Sequence, residues 1–561
     1  MSNKSLQQLY AEHTGKVSDK WQLYLTEYDR LLNDYREKPI SLLEIGIQNG
    51  GSLEIWLKYF SQALMLIGCD INPLCARLSF DDPRICVIAG DANRPDVREQ
   101  ITLNTPQFDI IIDDGSHMSG DIIKTFTLYF PFLANGGVFI AEDMHCSYWE
   151  RFEGGLFDPF SAITFFMRLA DIINYDNWVN PKARGDILQG FFWKYNCKID
   201  EDVLSQIHSV EFINSICVVR KASVDDNVLN RPVMSLTRMK EELADTKYGR
   251  LLDDYRDKPL RLLEIGIQNG GSLEMWSKYF NQALFLIGCG INPECAHLTF
   301  DDPRISMITG DANHLDVRER ITRSTPQFDI IIDSGSHISS NIIKTFTSYF
   351  PVLANNGIFI VKDIHSSYLE NFERALFDPL SAVTFFNHLI DIINYEHWGY
   401  PMVRSDILRS FFTKYDSDID VEVLSQVHCV EFINSLCIVH KASAPDNVLG
   451  RRIISGTMEL VTKGMSQAQE SDICPLDQTF NPWTRLAWSE MELVKTKEEL
   501  SNIKQLLAAV EQQLNKITSS SSWKMTLPLR QVGRWLTKSM SQAKRYWDEV
   551  TRLAKSLFSS R

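Results

Sequence analysis

No eighteen consecutive residues of the 561 are uniformly apolar, and the opening Met1-Ser-Asn-Lys-Ser-Leu-Gln-Gln8 lacks a charged stretch followed by an apolar run. Neither a membrane span nor a signal peptide is expected, and a cytoplasmic protein is the expectation. Cysteine is sparse: eleven residues, an odd number, with no Cys-x-x-Cys pair among them. That pattern carries no disulfide framework and suits a reducing compartment. Positive charge is also short, 57 Lys and Arg against 72 Asp and Glu for a net −15. Such a balance repels a phosphate backbone, so no nucleic-acid partner is expected. Only residues 523–561 run against it, with nine basic residues and just Asp548 and Glu549 as acids.

What is present is a globular composition, 44% hydrophobic and 23% charged, at a length that predicts three or four folding units. An internal repeat organises it. Residues 41–230 align without a gap on 261–450 at an offset of 220, with 129 identities in 190 positions. A period this long is a whole domain and not a solenoid unit, so each copy is expected to fold independently. Within the first copy short β-like runs alternate with helical stretches. The strand candidates are Ser41–Ile47, Leu64–Asp70, Ile85–Ala89, Asp109–Asp113 and Gly137–Ala141. After a helical region near 160–207, Val210–Asn214 and Ile216–Arg220 predict a hairpin that adds antiparallel strands at the sheet edge. Runs such as Ile110-Ile111-Ile112 lack polar alternation, as strands covered on both faces do.

The expected domains are 1–230, 231–454, a linker at 455–482, a coiled coil at 483–518 and a basic tail at 519–561. The coiled coil rests on Leu486, Leu493, Leu500, Leu507 and Leu514 at seven-residue spacing, with Ile503, Val510 and Ile517 three residues after the last three. It predicts a homo-oligomer, although a single amphipathic helix docked on the domains would show the same pattern. In the tail, Val532, Leu536, Met540, Ala543, Trp547, Val550 and Leu557 fall at helical spacing, while Arg534, Lys538, Arg545, Arg552 and Lys555 mostly avoid that stripe. Such a helix suits either an anionic membrane surface or the acidic remainder of the chain.

The chemistry concentrates at strand ends. The first strand runs into Glu44-Ile-Gly46-Ile-Gln-Asn-Gly50-Gly51-Ser52, a glycine loop before a helix, where backbone N–H groups are free for a ligand. Its spacing departs from G-x-G-x-x-G, which disfavours a nicotinamide oxidoreductase. Asp70 ends the second strand, 24 residues after Gly46, where a carboxylate can accept ribose hydroxyls, and Asp91-Ala92 ends the third, within reach of an adenine edge. Together these suggest an adenosyl ligand, though each alone also suits a turn or helix cap. The fourth and fifth strands end in Asp113-Asp114-Gly115-Ser116-His117 and Glu142-Asp143-Met144-His145. Asp114, Glu142 and Asp143 should converge, and a hard divalent cation, Mg²⁺, would relieve their repulsion. His117 is placed to act as a general base, and Tyr148, Trp149, Trp178 and Trp193 offer flat faces for a sugar ring or for the core.

These motifs, Leu43-Glu-Ile-Gly with Gly50-Gly-Ser-Leu and Trp56, Ile112-Asp-Asp-Gly-Ser-His117, and Ile140-Ala-Glu-Asp-Met-His145-Cys-Ser-Tyr148, resemble the class I S-adenosylmethionine-dependent methyltransferases of the macrocin/mycinamicin sugar O-methyltransferase and cephalosporin-hydroxylase-like group. The resemblance covers most of residues 10–450. It implies two tandem doubly wound, Rossmann-like α/β domains, mostly parallel with an antiparallel last strand. It further implies Asp114, Glu142 and Asp143 as Mg²⁺ ligands, His117 as base, and Glu44, Gly46, Gly50, Asp70, Asp91 and Ala92 at S-adenosylmethionine. Ser18-Asp19-Lys20 resembles a segment that closes over the cofactor. The acceptor it implies is a sugar hydroxyl of a bacterial glycan or glycolipid.

The second copy differs where it matters. Asp70 becomes Gly290, Asp114 becomes Ser334 and Glu142 becomes Lys362, while Glu264, Gly266, Gly270, Asp311, His337 and Asp363 remain; Trp149 and Trp193 become Leu369 and Thr413. With two of three metal ligands and the ribose acceptor gone, this copy is expected to be catalytically dead. The competing reading for the whole chain is a non-catalytic scaffold of a glycan-assembly complex.

Overall fold

A computed structural model describes residues 4–178, 182–227, 251–369, 376–465, 475–519 and 530–558. The expected boundary at 230/231 and the residues equivalent to His13–Lys20 ahead of the second copy lie outside the described residues. Two compact units are present, 1–491 and 492–561.

The first unit is built on one fourteen-stranded sheet. From its first edge it runs Ile85–Ala89, Met65–Asp70, Ser41–Ile45, Phe108–Asp113, Leu133–Ala141, Ile216–Lys221 and Ile207–Ile213. It continues with Val427–Ile433, Leu436–Lys441, Leu353–Lys362, Phe328–Asp333, Arg261–Ile265, Phe285–Gly290 and Ile305–Thr309. Each half has five parallel strands followed by a reversed hairpin, as the apolar pattern predicts. Helices cover both faces. Along the strands alternate side chains enter different clusters: Leu43, Ile111 and Phe139 pack on one face, and Leu42, Ile110, Ile112 and Ile140 on the other. A strand buried on both sides has no reason to alternate apolar with polar.

The two copies, expected to fold independently, share one sheet. The last strands of the two halves pair antiparallel, and the register sets Glu211 opposite Glu431, its own counterpart in the repeat, with Phe212 opposite Val430 and Val210 opposite Phe432. A pseudo-twofold axis therefore passes between the two glutamates. Contacts on either side come in reciprocal pairs, as in an isologous dimer. The Tyr148 hydroxyl donates to Asp391 at 3.0 Å and that of Tyr368 to Asp171 at 2.8 Å. Likewise the Ser215 N–H donates to Asn394 Oδ1 at 2.9 Å and the Ser435 N–H to Asn174 Oδ1 at 2.8 Å. The reason is sheet-edge chemistry: each half ends in a strand with unpaired N–H and C=O groups, and the other half's equivalent strand satisfies them.

Residues 455–482 are not a free linker where they are described. Arg452–Ser455 pairs antiparallel with Ser18–Trp21 in a separate two-stranded ribbon. Farther on, the Asn481 side chain donates to Gly154 O at 2.8 Å and accepts from the Trp483 N–H at 3.0 Å, capping the helix Pro482–Ser519. Trp488 and Met491 on that helix pack against the core of the first unit. Leu486, Leu493, Leu507 and Val510 are exposed in the single chain. A second helix spans Arg530–Phe558. No helix among the described residues is long and apolar enough to cross a membrane, and the ten described cysteines are free thiols.

Candidate active site

The strand Ser41–Ile45 ends at Gly46, whose φ of +91° is open to glycine; a Cβ there would sit 1.9 Å from the carbonyl oxygen of Asp114. This glycine serves the close approach of two strand ends. Gly50, at φ +79°, leads into the helix Gly51–Tyr59. The loop is covered by chain: a Cβ on Gly51 would meet the Lys16 carbonyl oxygen at 2.2 Å. Glu44 is fully buried, accepts from the Ser52 hydroxyl at 2.7 Å and is raised in pKa by burial, while its Oε1 has no hydrogen-bond partner among the described residues. Asp70 sits where a strand-end acid should, and its oxygens accept from the Gln48 and Asn72 N–H groups at 2.7 and 2.8 Å. Asp91 accepts from the Asn93 N–H at 2.9 Å, and the Ala92 carbonyl accepts from the Tyr129 hydroxyl at 2.6 Å.

The acids of the fourth and fifth strands do meet, and they meet around a lysine. Lys20 Nζ lies 2.5 Å from Asp114 Oδ2 and 2.6 Å from Glu142 Oε1, with the lysine 5% exposed. Repulsion between Asp114 and Glu142 is thus relieved here by a side chain of the chain itself, beside the expectation of a Mg²⁺ ion at the same acids. Glu142 Oε1 also accepts from the Tyr28 hydroxyl at 2.5 Å. Asp143 Oδ1 accepts from the Tyr24 hydroxyl at 2.8 Å and from Trp21 Nε1 at 3.1 Å. Tyr24 and Tyr28 stand one turn apart on the helix Gln22–Leu32, so both hydroxyls face the site.

His117 Nε2 lies 3.5 Å from Asp143 Oδ2, and ligand atoms of Asp114, His117 and Asp143 all lie within 4.8 Å of one another. Glu142 is not in that cluster; its carboxylate accepts from Lys20 and Tyr28. His117 and Asp143 both adopt left-handed backbone, at φ +58° and +52°. His337 and Asp363 in the second half repeat this backbone at φ +58° and +55°, so it belongs to the loop geometry the two halves share. Burial raises the Asp114 carboxyl, and burial together with the Asp114 charge raises that of Glu142 well above the usual range. Asp143 is pushed up by burial but brought lower overall by His117, His145 and the Tyr24 hydroxyl, while burial takes His145 down to about 4.

The aromatic residues divide differently from a sugar-binding row. Tyr148 and Trp149 are buried between the halves, Trp149 Nε1 donating to the His397 carbonyl at 2.8 Å, and Trp178 packs edge-on to Tyr175. Trp193 alone of the four is exposed, at 77%. The second half keeps the His337–Asp363 pair at 3.7 Å but opens a cavity of about 540 Å³ lined by Gly270, Gly271, His337, Lys362, Asp363 and Leu369. Sequence reasoning named Lys20 as part of a covering segment but missed its place between the acids, and missed Trp21, Tyr24 and Tyr28. The four-residue spacing of the two tyrosines was the available signal.

No family model matches the chain. Among curated proteins, it is 30% identical over 177 residues to 8-demethyl-8-α-L-rhamnosyl tetracenomycin-C 2′-O-methyltransferase of Streptomyces olivaceus, covering 30% of this chain and 46% of that protein. It is 36% identical over 143 residues to mycinamicin VI 2″-O-methyltransferase of Micromonospora griseorubida, covering 24% and 35%. The chain thus spans less than half the length of these relatives. Among solved structures, MycE methyltransferase from the mycinamycin pathway, in complex with Mg and SAH, aligns at 24% identity over 41% of this chain and 58% of that one, with a TM-score of 0.30.

Proposed function

We propose that the first half is a Mg²⁺- and S-adenosylmethionine-dependent O-methyltransferase for a sugar hydroxyl of a bacterial glycan or glycolipid, and that the second half is a catalytically silent partner. The observation that carries this is the convergence of Asp114, Asp143 and His117 at adjacent strand ends beside the glycine loop and Asp70. The activities of the relatives, a tetracenomycin-C 2′-O-methyltransferase and a mycinamicin VI 2″-O-methyltransferase, support the reaction class.

The residues fit a hard divalent ion: Asp114 and Asp143 supply oxygen donors within one small cluster, with His117 beside them. Bound there, the ion would lower the pKa of a coordinated hydroxyl. Asp114 and Asp143 would hold it, Asp70 would orient the donor's ribose, and His117 Nε2 would take the hydroxyl proton as the acceptor oxygen gains the methyl group and the sulfonium carbon–sulfur bond breaks. Asp143 hydrogen-bonded to Tyr24 and Trp21 keeps its carboxylate in place beside the imidazole. In the second half Gly290 offers no ribose acceptor and Lys362 stands where an acid would be.

Isothermal titration of the full chain with S-adenosylmethionine tests this reading: one site per chain, lost in Asp70→Ala, is expected. Two sites of similar affinity, or none, would refute it. The scaffold reading draws on the exposed leucine seam of Pro482–Ser519, which suits a homo-oligomer. Both readings accept a cytoplasmic protein whose basic helix Arg530–Phe558 touches an anionic membrane surface.

A further inference from the structure

An ammonium group out of water costs several kcal/mol unless well paired, so a lysine 5% exposed has a structural reason to be where it is. Lys20 finds that reason in Asp114 and Glu142. The element that delivers it is small and separable. Ser18–Trp21 belongs to the two-stranded ribbon and not to the main sheet, and it is held by residues that follow the second repeat. Ser18 pairs with Ser455, Asp19 with Ile454, Lys20 with Ile453 and Trp21 with Arg452. Arg452 also forms an ion pair with Asp19, the Val17 N–H donates to the Met458 carbonyl at 3.0 Å, and the Thr457 N–H donates to that of Gly15 at 2.8 Å.

The same segment is then fastened to the glycine loop. Fully buried Asn49 accepts from the N–H groups of Val461 and Thr462 at 2.7 and 3.0 Å and donates to the Thr462 carbonyl at 2.9 Å. Its counterpart Asn269 instead lines the open 540 Å³ cavity of the second half. Among the described residues, only the first half's glycine loop has a strap lying over it. The ribbon has four ladder pairs and lies outside the fourteen-stranded sheet, so its opening would break none of that sheet's strand pairs.

We infer that Lys20 and a divalent cation are alternative occupants of the corner between Asp114 and Glu142, so that loading the metal requires the ribbon of Ser18–Trp21 and Arg452–Ser455 to release Lys20. Glu142 becomes a metal ligand only when the lysine leaves. The segment after the silent second copy thereby governs the site in the first, which gives that copy a function without catalysis. This inference rests on the proposed divalent-ion site.

Mn²⁺ titration of the full chain, followed by the electron paramagnetic resonance of the free ion, tests it. Lys20→Met is expected to bind Mn²⁺ at least about tenfold tighter than wild type, Lys20→Arg to remain weak, and Asp114→Asn to lose binding. In wild type, Mn²⁺ should speed hydrogen exchange at the amides of residues 18–21 and 452–458, a readout that does not depend on any variant folding. Equal or weaker binding by Lys20→Met, or slower exchange in the ribbon, would overturn the competition while leaving the metal site standing. If neither wild type nor Lys20→Met binds Mn²⁺, the divalent-ion reading itself fails, and the competition with it.

Discussion

Glu431→Gln should stabilise the protein at pH 8 and do little at pH 5. The pseudo-twofold sets Glu431 directly opposite Glu211, and like charges across an antiparallel pair repel. The two are not treated equally. Glu211 Oε1 receives Arg30 at 2.5 Å and its Oε2 receives Arg220 at 2.7 Å, whereas the ion pair of Glu431 with Arg220 is longer, at 3.5 Å. Burial, then the Glu211 charge, pushes the Glu431 carboxyl up to about 7 from 4.5, with its side chain 13% exposed.

A carboxyl raised on folding binds more protons folded than unfolded between those two values, so stability falls as pH climbs from about 4.5 to 7 and stays reduced above. At about 1.36 kcal/mol per unit the full penalty would be about 3 kcal/mol, and sharing the charge with Glu211 reduces it to about 1–3. Glutamine keeps the shape of the protonated acid and removes the penalty. His428, pushed down by burial but pulled up further by Glu27, titrates in both proteins and cancels in the difference. With an unfolding entropy of about 2.1 cal/mol/K per residue, a unit of 491 residues shifts its Tm by only about 1 °C per kcal/mol. Scanning calorimetry should therefore show a gain of about 1–3 °C at pH 8 and under about 0.5 °C at pH 5. An equal gain at both pH values would refute the argument.

Gly46→Ala should cost about 3 kcal/mol or more in urea unfolding, because φ +91° and a Cβ 1.9 Å from the Asp114 carbonyl oxygen are both intolerable; a loss under 1 kcal/mol would mean that the two strand ends separate freely. His117→Ala should lower methyl transfer about 10²–10⁴-fold with S-adenosylmethionine affinity retained, and a pH–rate profile unchanged from wild type would remove His117 as the base. Truncation after residue 482 should lower the oligomer number seen by light scattering, since it removes the exposed leucine seam; unchanged stoichiometry would place the oligomer contact elsewhere. Vesicles of anionic lipid should carry the full chain upward in a density gradient and neutral ones should not, and flotation with neither would assign the helix Arg530–Phe558 to protein docking.

From the linear chain alone come the 220-residue repeat, the seven strands of each half to within a few residues, the strand-end acids, and their loss as Gly290, Ser334 and Lys362. These are local properties: an apolar run long enough to cross a sheet announces a strand wherever it lies, and an acid after it falls at the strand's carboxyl end. What the chain could not announce depends on contacts between residues hundreds of positions apart. Nothing local in Val210-Glu211-Phe212 states that it will pair with its own repeat, turning two copies into one sheet. Trp149 looks the same in sequence whether it faces a sugar or His397. Lys20 settles between Asp114 and Glu142 only because Arg452–Ser455, arriving from beyond the second copy, holds its strand there. Pairing partners on open sheet edges and the burial of single charges are decided by the whole assembly of the chain, since each depends on which distant surface excludes water from it.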